Sequence, residues 1–435
     1  MGVIATEGQA QAITNCSGIS FVSNRCCTKS KAEELYCVVS GSYASNQLVQ
    51  LSDLSAPQIT PLYEPLCIKN TGLSGCTIWF TFSSGTVEYS YNNQTDWRTM
   101  RSGVGEIVAG GDKLYFRGNL YPSQNYPNYG IGRFSFSSSK QVKISGNINS
   151  LIDYKTNLSN YSYCFYRLFY KCPTIKDCSS DLFDGIEVLG PHCFEEMFLG
   201  CSSLPSGPNI PNTTMKDYCC RRMFLGCVSL SSVVSMPSTL LAPGCYQEMY
   251  RGCSITNVGQ NALPATTLYH HCYMQMFMGC TGLITAPRLP ATSLAWGCYG
   301  GMFEGCSSLT TAPDLKAPLL VQDCYDRMFY GCHSLTYLKC LTTNIDSTRY
   351  GDSCWDSDDR DMQKHYCLNR WTGAACYAQD TYGSGGFLPY QGTFVVHVNN
   401  SYFDPRNIYD EDDPWGDDNS NYNYYHAWTV NTSYS

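Results

Sequence analysis

The cysteines are the residues of this chain most able to do chemistry. There are 26 of them in 435 residues, and many stand at the two ends of a nonapeptide, as in CYGGMFEGC (298–306). Thiols so placed can form disulfides, hold a metal as thiolates, or attack as nucleophiles beside a base. Structural zinc sites need closely spaced ligands, and no two cysteines here show the C-x-x-C spacing. His270 and His271 precede Cys272 and formally offer a Cys–His pair. That cysteine, however, fills a slot that recurs along the chain, while the histidines fill variable ones. No G-x-S-x-G, P-loop or H-E-x-x-H is present, nor a G-x-G-x-x-G after a strand. LPATT (263–267) and LPATS (289–293) lack the glycine and hydrophobic tail of a sorting signal and read as repeat consensus. The acidic runs DSDDRD (356–361) and DEDD (410–413) lack the spaced Asp/Asn loop ending in Glu, so they read as solvated loops rather than calcium sites. The sequence therefore predicts no enzyme, no cofactor and no resident metal.

The elements that position these cysteines are repeats. The phrase occurs as CFYRLFYKC (164–172), CFEEMFLGC (193–201), CCRRMFLGC (219–227), CYQEMYRGC (245–253), CYMQMFMGC (272–280), CYGGMFEGC (298–306) and CYDRMFYGC (324–332). First-cysteine spacings are 29, 26, 26, 27, 26 and 26, within the period range of leucine-rich repeats, so residues 151–345 read as a solenoid of seven repeats. Within a copy the apolar residues fall at the first Cys, then four, five and eight later. That is one face of two helical turns, so the spacing predicts a short helix. A glycine stands just before the second cysteine in six copies (Gly200, Gly226, Gly252, Gly279, Gly305 and Gly331) and reads as the left-handed residue that ends the helix. Lys171 takes its place in the first copy. The segment that follows, as in TGLITAPRLP, suits a short extended rung, because its prolines forbid helix.

Stacking such units would bury equivalent residues against one another: Cys193, Met197, Phe198 and Cys201; Cys298, Met302, Phe303 and Cys306; Cys324, Met328, Phe329 and Cys332. Eight helical residues span about 12 Å, while a disulfide tolerates roughly 7 Å between Cα atoms. The two cysteines of a copy are therefore predicted to be core thiols, with a disulfide staple between copies as the alternative. The doublets Cys26-Cys27 and Cys219-Cys220 have no explanation at this level.

The flanks change rhythm. Residues 67–150 hold alternating runs such as TIWFTF, KLYFRGN and VKISGNI between turn residues, which predicts a β-sandwich-like module capping the solenoid. Residues 1–66 read as a small N-terminal anchoring module of loops and strands, with Ser30 and Glu33 as a capping box for one helix near Thr28. Residues 346–435 read as an acidic, Trp/Tyr-rich cap with a strand at GTFVVHV (392–398). The predicted fold is multidomain and mainly β with short helices, a β-sandwich-like module followed by a leucine-rich-repeat (α/β) solenoid.

Charged residues make up only 15% of the chain, whereas Tyr (34), Gly (37) and Cys are plentiful, a balance closer to an adhesive surface protein than to a housekeeping enzyme. The net charge of −8 sits mostly in the tail, and the sequence shows no Lys/Arg cluster that could track phosphates, which argues against nucleic acid. No run of 18 apolar residues exists and MGVIATEGQAQAITN has no basic or apolar leader, so neither membrane insertion nor a secretory signal is expected.

With the repeats aligned, CYxxMFxGCxxLxxAPxLPATxL over about 160–345 resembles the cysteine-rich, BspA-like leucine-rich repeats of gut bacterial surface proteins and of the phages that infect those bacteria. VEYSYNNQTDWRTM and VKISGNINSLI look like the β-module that accompanies them. NRCCTKSKAEEL and SGSYASNQLVQLSDL are similar to the module that begins virion fibre proteins of crAss-like gut phages. The tail departs from the usual ending, with extra cysteines Cys354, Cys367 and Cys376.

The resemblance implies a virion surface protein, a head fibre ahead of a tail fibre, made in the host cytoplasm without a signal peptide. It implies anchoring to other virion proteins through the N-terminal module, with Arg25, Lys29, Tyr43, Asn46 and Gln47 as candidates. The variable slots of the repeats would face a host glycan or protein, with Tyr269, His270, His271, Trp296, Tyr330 and His333 as the candidate surface. Fibres are symmetric oligomers, so a homodimer or homotrimer is expected. The rival expectation is a bacterial cell-surface adhesin.

Overall fold

The computed structural model describes residues 64–342 except 93, 126–128 and 138–139, together with the backbone of the strands Arg25–Thr28, Val38–Val39, Leu48–Gln50, Leu54–Ser55, Asn344–Ile345, Gly392–His397 and Trp428–Tyr434. The chain divides at residue 64 into two compact units. In the first, Arg25–Thr28 pairs antiparallel with Leu48–Gln50, and Val38–Val39 with Leu54–Ser55. The helix expected near Thr28 lies outside the described residues.

The second unit is mainly β. Alternation of apolar and polar residues puts one side chain in two into the core, and two sheets result. The larger runs Ile175–Cys178, Val142–Ser145, Leu66–Asn70, Lys113–Gly118, Val87–Tyr91, Arg98–Thr99. The smaller runs Arg133–Phe136, Cys76–Thr81, Gly105–Val108. They meet through Phe116 of the larger sheet and Phe134 of the smaller, whose rings are 5.1 Å apart edge to face, with Phe80 stacked on Phe134 at 4.1 Å. All pairings are antiparallel except Ile175–Cys178, which lies parallel to Val142–Ser145 and brings a strand from the repeat region into the sheet.

The nonapeptides are not helices. Among the described residues the one helical element is the 3-10 turn Ile148–Leu151, capped by Asn147, whose side chain accepts from Asn149 N. Each nonapeptide is instead a string of overlapping four-residue turns. One N–H in two bonds back three residues, as Cys164 N to Tyr161 O (3.2 Å) and Leu168 N to Phe165 O (3.3 Å). The N–H groups between them reach the next coil, as Phe165 N to Cys193 O (2.8 Å) and Phe169 N to Met197 O (2.9 Å). From Tyr163 to Lys171 every backbone N–H is used in one of these two ways, which answers the accounting that buried backbone demands.

Every fourth residue is left-handed: φ is 60°, 53° and 54° at Tyr163, Arg167 and Lys171, and 56°, 55° and 72° at His192, Glu196 and Gly200. A type II turn requires this at its third position. The glycines before the second cysteine do take the left-handed conformation, but as the last of three such residues rather than as the end of a helix. Side chains consequently point two in and two out, and Cys, Phe, Met, Phe and Cys share the buried side. The expected rungs are single parallel bridges, such as Thr285 with Thr311 and Thr267 with Ser293. Backbone N–H groups of Ile131 and Phe134 donate to Cys164 O (3.0 Å) and Leu168 O (2.8 Å), joining the smaller sheet to the first coil. At the other end Tyr337–Cys340, Gly392–His397 and Trp428–Tyr434 form a parallel three-stranded sheet, so GTFVVHV does contain a strand.

Candidate interaction surface

What a stack of coils offers a partner is whatever its interior does not consume. The interior consumes the cysteines of the repeats, and every cysteine from Cys67 to Cys340 is buried with none in a disulfide. Cys193, Met197, Phe198 and Cys201 are fully buried, as are their equivalents at 298–306 and 324–332. From the second nonapeptide onward the closing cysteine has a specific task. Its thiol donates to the carbonyl of the ladder aromatic one coil earlier: Cys201 Sγ to Phe169 O (3.0 Å), Cys227 to Phe198 O (3.1 Å), Cys253 to Phe224 O (3.0 Å), Cys280 to Tyr250 O (3.2 Å), Cys306 to Phe277 O (3.2 Å) and Cys332 to Phe303 O (3.1 Å). Several of these carbonyls also accept a turn N–H, as Phe198 O does from Cys201 N at 3.0 Å. The small thiol thus fills the second acceptor site without bringing a strongly hydrated group inside. Burial pushes the thiols of Cys227, Cys280 and Cys332 up to about 12, so they stay protonated.

Between the cysteines run two aromatic columns. Phe134, Phe169, Phe198, Phe224, Tyr250, Phe277, Phe303 and Phe329 stack with centroids 5.4 to 5.9 Å apart. The second column pairs Phe165 with Phe194 and continues through Tyr246, Tyr273, Tyr299 and Tyr325, each step 5.8 Å. Cys220 stands in the gap, because it occupies the aromatic slot of its copy. The Cys219-Cys220 doublet is thus the ordinary slot cysteine followed by one that replaces a ring.

The outward slots of the early coils are taken by ions. Arg167 donates to Glu196 (2.6 Å), and Arg222 lies 3.7 Å from Glu196 and 2.8 Å from Glu248, which also takes Arg251 (2.8 Å). Glu195 is held by Arg221 and by His192. The glutamate side chains are only 2 to 6% exposed, so each is a buried charge that needs its arginines. The alternation Arg167, Glu196, Arg222, Glu248 at one slot is visible in the sequence once the copies are aligned.

The predicted ligand residues divide into two groups. His270, His271 and Trp296 come together, with Tyr269 next to them in the chain: Trp296 lies 4.4 Å from the His271 ring and 6.2 Å from that of His270, and its Nε1 donates to Asp323 Oδ2 (2.9 Å). Tyr269 and Trp296 are 47% and 44% exposed, enough to offer aromatic surface. Burial lowers the pKa of His271, reinforced by the neighbouring His270, with Asp323 opposing. Its ring covers Gly297, where a Cβ would collide with it. Tyr330, half-buried, and His333, exposed, flank Cys332 at the other end of the last nonapeptide. Of the predicted anchoring residues, Arg25 lies in the strand Arg25–Thr28, and Lys29, Tyr43, Asn46 and Gln47 lie outside the described residues.

Sequence reading missed a pair of carboxylates at the CYGG coil. Gly300 and Gly301 leave two outward slots without side chains, and Glu304 Oε2 sits against Gly301. Glu304 Oε2 and Asp326 Oδ1 are buried without a hydrogen-bond partner among the described residues. Burial pushes Asp326 up to about 6, with Arg327 opposing and Asp323 and Glu304 adding, and it also raises Glu304.

Among the described residues no cluster of three or more His, Cys, Asp or Glu could hold a metal ion, and no helix is long and apolar enough to cross a membrane. Comparisons with protein families, with characterised proteins and with solved structures gave no match to this chain.

Proposed function

We propose that this chain is a non-enzymatic surface protein of a phage virion, a head fibre in preference to a tail fibre. In this reading it is multidomain: residues 1–66 anchor it to other virion proteins, and a leucine-rich-repeat solenoid is displayed outward for adhesion to a host glycan or protein. The observation that carries the reading is the assignment of side chains in the stack. Cys, Met and aromatic groups are consumed inside, thiol to carbonyl and ring to ring, and nothing in that interior is poised for chemistry. What varies from coil to coil is outside, including the exposed Tyr269 and Trp296, the residue types that carry most recognition energy at interfaces.

A mass-spectrometric inventory of purified particles tests the placement. The chain is expected among the structural proteins at a fixed copy number, and a form lacking residues 1–64 is expected to fold and to be absent from particles. Incorporation of the truncated form would overturn the anchoring role. Recovery of the intact chain from a bacterial envelope instead of particles would make it a cell-surface adhesin.

A further inference from the structure

The sequence contains no basic cluster, but the fold builds one. Cross-strand register sets Lys113 opposite Lys69, Lys69 opposite Lys143, and Lys143 opposite Asp177 on the outer face of the larger sheet. Like charges facing each other across strands cost stability, and the carboxylate in the row is neutralised by Lys143 at 2.5 Å. Beside this row, where a bulge interrupts the pairing of Val142–Ser145 with Ile175–Cys178, a cleft of about 260 Å³ is lined by Lys140, Gln141, Pro173, Thr174 and Lys176.

Lys176 is exposed, and Lys140 spends one of its three protons on Ser74 Oγ (2.7 Å). Thr174 is only 6% exposed, and its hydroxyl oxygen is buried with no hydrogen-bond partner among the described residues. A buried hydroxyl normally finds a partner, so an orphan in the wall of a cleft points to a group that is supplied from outside. Two ammonium groups, an amide, an orphan hydroxyl and a proline ring together match a small anion carried on a polar ring. The volume, below that of drug-sized pockets, fits one such unit.

We propose that this cleft binds the carboxylate of an acidic saccharide. Lys140 and Lys176 would hold the anion, and Gln141 and Thr174 would take the neighbouring sugar hydroxyls. The basic row beside it would draw further acidic units of the same polymer along the sheet. The inference rests on the proposed adhesive function and names the chemical class of one ligand for it.

The test uses the full-length chain and a hexuronate oligosaccharide, titrated by calorimetry against a neutral oligosaccharide of equal length, a poly-glutamate peptide and a single-stranded oligonucleotide. Saturable binding of the hexuronate oligomer is expected, weakening on the order of tenfold when salt is raised from low to physiological strength. The neutral sugar is expected not to bind. K140A/K176A is expected to lose at least tenfold in affinity, and T174V several-fold, each with an unchanged unfolding midpoint. Equal or tighter binding of the peptide or the oligonucleotide would overturn the saccharide assignment. Full retention of hexuronate binding in K140A/K176A would overturn the site, and no binding of any probe would overturn the proposal outright. Adhesion to host cells, measured in parallel with the same variants, separates these outcomes from failure of the adhesive function itself.

Discussion

The thiol-to-carbonyl bond makes an unusual demand on substitutions, and Cys280 is the place to apply it. Its side chain is fully buried and its Sγ lies 3.2 Å from Tyr250 O, which also accepts Cys253 N at 3.1 Å. Replacing Cys280 by Ala removes a sulfur-sized group, worth about 1 kcal/mol by analogy with a buried methylene. It also removes a weak bond worth about 0.5 kcal/mol and leaves a small cavity, so a loss of about 2 kcal/mol is expected. Replacing it by Ser leaves a donor aimed at the same carbonyl, so C280S is expected to be the more stable of the two. Cys298 supplies the control, because its Sγ is 4.0 Å from Cys324 O, too far for a useful bond. There a serine hydroxyl goes into the core without its acceptor, at a cost of about 1 to 3 kcal/mol, and C298S should be less stable than C298A. A stack of coils need not unfold in one step. The measurement is therefore hydrogen-exchange protection of the coils from 272 to 306 under increasing urea, in reductant. The same order of Ser and Ala at both positions would refute a donor role for the second cysteine.

Other consequences follow from the same geometry. Native protein is expected to leave the repeat thiols unlabelled by iodoacetamide at pH 8 and to label them fully in denaturant; a native mass showing disulfides among them would restore the staple between copies. The far-UV circular dichroism should lack the double minimum of α-helix, and a spectrum with substantial helical signal would contradict the string of turns. Asp326, pushed up to about 6 by burial, has a folded value above its unfolded one. It therefore favours the fold fully below about pH 4, and that contribution is lost as pH rises through about 6, on the order of 1 kcal/mol once solvent screening is allowed for. D326N should flatten the acid side of the stability profile of the last coils, and an unchanged profile would remove Asp326 as its source. Gly297 is left-handed at φ 58° under the His271 ring. G297A should therefore cost about 3 kcal/mol from backbone strain and overlap together, and a neutral result in thermal unfolding would show that His271 can move aside.

How much of this was legible in the sequence is a question about four against 3.6. The inward positions of a nonapeptide are 1, 2, 5, 6 and 9, as in Cys164, Phe165, Leu168, Phe169 and Cys172. On a helical wheel these fall within one arc of about 140°, so an amphipathic helix and a string of four-residue turns leave the same apolar signature over two cycles. The left-handed residues that separate the two possibilities are hidden, because Tyr163, Arg167, His192 and Glu196 hold a conformation usually assigned to glycine. They are kept there by bonds to the next coil, such as Arg167 N to Glu195 O at 3.1 Å, which no window of local sequence contains. The period, the buried cysteines and the alternating strands were legible because each is a statement about which residues avoid water. The orphan carboxylates and the lysine cleft were not, because Lys140 meets Lys176 only across a parallel pairing, and the ion network shows only once the copies are aligned, because Arg222 meets Glu248 across a coil boundary. The outward slots of such a stack are therefore free to change chemistry without disturbing the fold where they carry no buried charge, as at Trp296, and are tied to it where they do, as at Glu248. Recognition in this chain should accordingly be sought among the later coils and on the lysine face, where the stack asks least of its surface.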